Sequence, residues 1–150
     1  MSFKRLIWGV KASFRSYVEA AGGSVTLSDG ATRTENGGFV FNAVPGGNLN
    51  IASDGSATGA MRFEGTVTFE AHGGMLKSTI TGLGLEAGVD GLVLTVPETA
   101  ESRCAIAKLG PVEFGSEDTV TIGAEITLDG MYHIADNYPP GTELDSLQLD

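Results

Sequence analysis

Two histidines, one cysteine and three tyrosines are the scarce reactive side chains of this sequence, beside 19 carboxylates. No Gly-x-Ser-x-Gly elbow, no phosphate-binding glycine loop closed by Lys-Ser or Lys-Thr, and no His-Glu-x-x-His occurs. Glu64 and Glu70 fall on the polar side of an alternating run and Glu117-Asp118 reads as a turn, so the spacing favours no glycosidase-like carboxylate pair. Cys104 stands alone, which excludes an intrachain disulfide framework and any Cys-x-x-Cys site; at the start of an apolar run it reads as a small buried hydrophobe. His133 has no second histidine at ligand spacing and reads as a loop or strand-end residue. Two segments stand apart: Trp8-Gly9-Val10-Lys11-Ala12-Ser13-Phe14-Arg15-Ser16-Tyr17-Val18 and Phe69-Glu70-Ala71-His72-Gly73-Gly74. Ser13 and Tyr17 are four residues apart, so on a helix they share one face. From the residues alone, Tyr17 reads first as a packed amphipathic helix tyrosine whose hydroxyl reaches water, and His72 as a plain exposed histidine beside a glycine turn.

The elements that must carry these residues follow from hydrophobic period. From Lys4 to Ala21, Ile7, Val10, Phe14, Tyr17 and Val18 recur at helical spacing, and Gly22-Gly23 offers a left-handed stop. A helix over roughly residues 5–20 is predicted. Beyond residue 23 the period becomes 2. Ala60 to His72 reads as one strand with Met61, Phe63, Val67, Phe69 and Ala71 inward; Thr119 to Asp129 reads as another, with Leu128 inward. Shorter strands are predicted at 24–27, 38–43, 49–52, 76–81, 83–87, 92–96, 104–109 and 144–149. They are separated by turns such as Asn36-Gly37-Gly38, Asp54-Gly55, Gly110-Pro111 and Asp129-Gly130. Many short strands with close glycine turns predict an all-β domain over 1–150: an antiparallel β-sandwich or partly closed barrel with a short N-terminal α-helix.

Composition agrees. The 22 glycines among 150 residues oppose a helical bundle, because each mid-helix glycine costs about 1 kcal/mol against alanine. A net charge of −10 repels phosphate backbones and anionic headgroups, which argues against nucleic-acid and polybasic membrane roles. No apolar stretch reaches the roughly 18 residues of a membrane-crossing helix, so direct membrane insertion is not expected. Met1 to Lys11 starts like a signal peptide, but its apolar run ends early at Lys11; as written, the sequence reads as cytoplasmic, with no visible export signal.

The two segments, with a third, carry a resemblance. Trp8, Lys11, Ser13, Phe14 and Tyr17 fill a Trp-x-x-Lys-x-Ser-Phe-x-x-Tyr pattern; Phe69, His72 and Gly73 fill a Phe-x-x-His-Gly pattern. Tyr138-Pro139-Pro140-Gly141-Thr142-Glu143-Leu144-Asp145 fills Tyr-x-x-Gly-Thr-x-Leu-Asp near the C-terminus. In that order they resemble the HtaA family of bacterial haem-binding domains, over nearly the whole chain. The resemblance implies a non-enzymatic protein that binds ferric haem b for uptake, transfer or storage. It implies Tyr17 as the axial iron ligand, His72 as the hydrogen-bond partner of its phenolic oxygen, and Ser13 near a haem propionate. Tyr138 joins the expected cofactor-binding set through the closing motif, and Phe14 and Val18 by proximity. Partners would be haem and another haem-transfer protein, and a homo-oligomer stays open. The family is usually exported or at the cell surface, whereas this sequence carries a single such domain and no anchor. The chemistry is coherent: free tyrosine ionises near pH ~10, so it ligates as phenolate only with help from the metal and a hydrogen-bond donor. A hard anionic oxygen favours ferric iron. The competing reading is a non-catalytic β-sandwich interaction module without a cofactor, in which Tyr17 and Phe14 merely pack the helix; a hydrolase using Glu64 or Glu70 with His72 is more remote.

Overall fold

A computed structural model of the chain describes residues 3–150; Met1 and Ser2 of the signal-like start lie outside the described residues. The chain runs β1 (Arg5–Trp8), α1 (Ala12–Ala20), β2 (Ser24–Ser28), β3 (Thr32–Arg33), β4 (Phe39–Ala43), β5 (Asn50–Ile51), β6 (Ala57–Thr58), β7 (Ala60–Glu64) and β8 (Thr66–Ala71). After the His72–Gly74 turn come β9 (Leu76–Thr81), β10 (Gly84–Gly88), β11 (Gly91–Pro97), β12 (Arg103–Phe114), β13 (Val120–Ile126), α2 (Leu128–His133) and β14 (Glu143–Leu149).

The strand order β1-β14-β13-β12-β11-β10-β7-β4 closes on itself, because β1 pairs with β4 as well as with β14. All of these pairings are antiparallel, so the barrel form of the predicted all-β class is the one adopted; β3 adds a short flank to β4. Closure leaves no exposed sheet edge around the ring. Inward residues alternate along each strand as a half-buried sheet requires: Leu6 and Trp8 lie opposite Phe41 and Phe39, and Ile122 opposite Leu147, all buried.

Residues 5–8 are the largest departure from the sequence reading. They form the strand that closes the barrel, not the first turns of a helix. Leu6 and Trp8 are buried while Arg5 is exposed, a period-2 pattern that the helical fit of Ile7 and Val10 had obscured. Val10, at φ 66°, turns the chain from strand into helix.

The predicted strand 60–72 is two strands. Gly65 (φ +129°) ends β7 in the barrel, and β8 enters a second, three-stranded sheet of order β2-β8-β9. The return strand bends at Gly82 (φ +61°), just beyond the Thr66–Thr81 pair, and rejoins the barrel as β10. A side chain at Gly65 would press 2.8 Å from the Phe41 ring, so glycine serves both the bend and the close approach. This two-strand ribbon leaving the barrel carries His72 at its tip.

The segment predicted as strand 119–129 ends at Ile126, and α2 follows. Thr127 caps it by accepting the Gly130 amide at 3.0 Å, and Leu128 points outward, half exposed. β12 continues through Gly110-Pro111, expected as a turn, by a break in register between Leu109 and Val112. Among the described residues no helix is long and apolar enough to cross a membrane.

Candidate functional site

Helix α1 lies on the three-stranded sheet, and three aromatic rings seat it. Phe14 meets Phe69 of β8 edge-on, with centroids 5.0 Å apart, and Phe69 in turn meets Phe39 of β4 at 5.8 Å. Helix, ribbon and barrel thus share one aromatic stack of the kind that adds about 0.5–1.5 kcal/mol per pair beyond area burial. On its other side Phe14 meets Tyr138 at 6.2 Å, and the Lys11 ammonium lies 5.7 Å from the Tyr138 ring centre. Phe14 and Val18 are 1% and 0% exposed. They anchor the helix and offer no accessible surface to a ligand; Tyr138, partly buried, is brought against Phe14 and Lys11, not against Tyr17.

The flank of α1 next to this buried stripe carries Ser13 and Tyr17, both exposed, one turn apart. Tyr17 is 48% exposed, and its hydroxyl lies 2.7 Å from His72 Nε2 across 55 residues of sequence. The two rings are tilted by 57° with centroids 5.7 Å apart. The pair works in either protonation state. The phenol O–H donates to Nε2 when that nitrogen is bare, and Nε2–H donates to the oxygen when the phenol is ionised.

Backbone geometry at both ends makes this contact. The helix stops at Gly22 (φ +73°), where the left-handed conformation suits glycine. The Gly23 amide donates to Val18 O at 2.8 Å. A Cβ on Gly23 would collide with Glu70 O and lie 2.8 Å from Val18 O, so only glycine lets the end of α1 rest on the end of β8. Across the gap, His72, Gly73 and Gly74 take φ values of 56°, 66° and 93°. Histidine is among the residues enriched in this left-handed region, and a strained backbone of this kind is found at functional sites. Between the two turns a hollow of about 300 Å³ opens beside His72.

The acids nearest the pair in sequence are themselves paired. Glu19 Oε1 lies 3.1 Å from Arg33 Nη2, and Glu70 Oε1 lies 3.5 Å from Lys77 Nζ. Away from the site, Cys104 is buried with its Sγ 3.5 Å from His133 Nε2. Burial first, then the carboxylates of Asp129 and Glu98, push the Cys104 thiol up from its ordinary value, which disfavours the thiolate. His133 ends α2 and does not sit in a loop. Sequence reasoning missed Arg15 and Asp145, which join the helix to β14; the Leu144-Asp145 end of the third motif was the only signal pointing to them.

Fold and site together define a class of protein: a closed antiparallel barrel whose appended sheet carries a short helix, with a tyrosine of that helix set against a turn histidine. The chain belongs to the HtaA family, whose model, described as Htaa, matches residues 4–150. Among solved structures it is similar to the N-terminal domain of HtaA from Corynebacterium glutamicum, at 24% identity and a TM-score of 0.75, covering 99% of this chain and 96% of that one. The C-terminal domain of the same protein is 26% identical with a TM-score of 0.69, over 98% and 96% of the two chains. The heme binding protein HtaB of that organism is 17% identical with a TM-score of 0.69, over 98% and 91%. No curated protein matches the chain.

Proposed function

We propose that this chain binds ferric haem without catalysing a reaction, with the Tyr17 phenolate as axial ligand and His72 supporting it. The observation that carries the reading is the 2.7 Å approach of the half-exposed Tyr17 hydroxyl to His72 Nε2. The donor set fits the group. One phenol oxygen beside one imidazole offers too few ligands for a bare ion, but it suits an iron that arrives with four equatorial nitrogens. When bound, ferric haem supplies the Lewis acid that stabilises the phenolate; the chain supplies the oxygen, the hydrogen bond and the seat.

Each residue then has a task. Tyr17 presents its oxygen from a helix face open to solvent. Nε2–H of His72 holds the ionised oxygen, the kind of supporting bond that fixes a ligand's orientation and strength. Ser13, one turn earlier on the same face, would donate to a propionate. The Glu19–Arg33 and Glu70–Lys77 pairs offset part of the repulsion that bare carboxylates would exert on an anionic group. With Cys104 buried and alone, the haem is held without thioether links, as haem b. An open seat on a short helix suits a cargo that is taken up, stored or handed to another haem protein. Membership of the HtaA family and the named function of HtaB support this reading.

The test is a hemin titration of the purified chain. It should saturate at about one haem per chain with a high-spin-type visible spectrum. Tyr17→Ala should abolish binding or weaken it greatly, while Tyr132→Ala, at an exposed tyrosine of α2, should not. Wild-type binding by the Tyr17 variant would refute the ligand assignment.

A further inference from the structure

Helix α1 lacks a cap of its own. Lys11, its N-cap residue, is extended at φ −160° and ψ 126°, and its side chain makes no capping bond; the ammonium donates instead to Glu143 O at 2.6 Å. The missing acceptor comes from the far end of the chain. Asp145 Oδ1, on β14, accepts the Ala12 amide at 3.0 Å, and Oδ2 accepts Arg15 Nη1 at 2.6 Å. Arg15 Nη1 also donates to Gly9 O at 2.7 Å. The backbone of the same aspartate completes the joint: its carbonyl accepts Trp8 Nε1–H at 2.8 Å and its amide donates to Val10 O at 2.9 Å. One residue of β14 therefore grips the last residue of β1, the turn, and the first turn of α1. A Cβ on Gly9 would collide with Arg15 and lie 2.7 Å from Asp145 Oδ2, so the joint is also sterically closed.

From this geometry we infer that Asp145 is a positioning residue for the haem site: through Arg15 and the Ala12 amide it sets the rotation of α1, and thereby the reach of Tyr17 to His72. The inference rests on the reading of Tyr17 as the iron ligand. A nine-residue helix is too short to hold itself in water, since isolated helices below about 12–15 residues are marginal. Its direction is therefore set by what pins it. Side-chain atoms lie about 5–6 Å from a helix axis, so a rotation of roughly 20° moves them by about 2 Å. That displacement takes a 2.7 Å contact out of hydrogen-bond range. The carboxylate suits the task twice: it is an anion at the positive end of the helix dipole, and its bond to the guanidinium is charge-assisted. With side-chain exposures of 14% and 32%, Arg15 and Asp145 are screened less than a fully exposed pair.

The experiment compares Asp145→Ala, which removes both acceptors, with Asp145→Asn, which keeps an oxygen for the Ala12 amide but loses the charge. Arg5→Ala is the control, since it removes a different ion pair of the β1–β14 seam and leaves the helix joint intact. Hemin release into excess apomyoglobin should be about ten-fold faster for Asp145→Ala, the lower end of what losing support for a metal ligand typically costs. Its visible bands should shift, Asp145→Asn should fall between, and Arg5→Ala should match wild type. Wild-type release and spectrum in Asp145→Ala would overturn the inference even if its melting temperature falls. Amide exchange in the haem-free chain is a second readout, and Asp145→Asn and Arg15→Lys extend it should Asp145→Ala not fold. The α1 amides of these variants should exchange faster than wild type while the barrel amides do not. Unchanged protection of α1 would refute the clamp by itself, whereas a wild-type chain that takes up no hemin refutes the functional reading and leaves the clamp to be judged by exchange.

Discussion

Tyr17 and His72 share one proton-bearing contact, and on the proposed reading the metal determines where that proton goes. Removing the imidazole leaves the iron–oxygen bond possible but unsupported, a change that typically costs 10–100-fold in metal affinity. His72→Ala should therefore still bind hemin, weaker by about that factor, with faster release and altered visible bands. At φ 56° the histidine already bears the left-handed cost of about 1–2 kcal/mol, which alanine keeps and His72→Gly relieves, so the two variants differ in backbone strain but both lack the imidazole. The same haem phenotype in both variants assigns the loss to the imidazole; wild-type behaviour in the glycine variant would remove His72 from the site. At this scale the sequence was informative where chemistry is local. Ser13 and Tyr17 share a face because they are four apart, and the motif supplied His72. The work of Asp145 was hidden because its partner amide is 133 residues away, and nothing in a short window connects the two.

Elements set how closely those two side chains meet, and the glycine pair after α1 separates two effects. Gly22 needs its positive φ but has open space around it; Gly23 needs the space. Gly22→Ala should cost about 1–2 kcal/mol of stability, the left-handed penalty, and leave hemin affinity unchanged. Gly23→Ala should cost about 1–3 kcal/mol by overpacking and also weaken hemin binding, because the helix end must lift away from Glu70 O. Chemical denaturation with a parallel hemin titration checks both; equal hemin affinity for the Gly23 variant would detach the helix seat from the site. The same elements show why the sequence was only partly readable. Strands such as Leu76–Thr81 carry a clean period of 2 bounded by glycine, and their bounds are met. α1 was drawn too long because Ile7 and Val10 fit a 3.6-residue period by coincidence while serving a strand and a turn. α2 escaped because Asp129-Gly130 looks like a turn. Gly130 is there for contact, since a Cβ would collide with the Ile106 carbonyl of β12. Such tertiary contacts leave no local pattern.

The whole molecule holds the site through ring closure, and part of the closing seam responds to acid. Arg5 Nε and Nη2 meet the two Asp150 carboxylate oxygens at 2.9 and 2.6 Å, joining β1 to the end of β14. The hydrogen bond from Arg5 holds the Asp150 carboxyl below its ordinary value of 3.8. The unfolded chain therefore takes up this proton first as pH falls, so the pair's contribution is present above about 3.8 and disappears through the lower folded value. The arginine side chain is 49% exposed, which limits the pair to at most about 1 kcal/mol. Asp150→Asn should lower stability at pH 7 by no more than that and flatten the acid limb below pH ~4 in pH-dependent denaturation; an unchanged acid limb would remove this pair from the seam's pH response. The central claim is ligation by Tyr17, and resonance Raman spectroscopy of the hemin-loaded chain tests it most directly. Tyrosinate ring modes are enhanced only when the phenolate is bound to the absorbing iron. They should appear in wild type, persist with shifted frequencies in His72→Ala, and vanish in Tyr17→Phe; a hemin-loaded wild type without them, or a Tyr17→Phe variant that keeps them, would contradict the account.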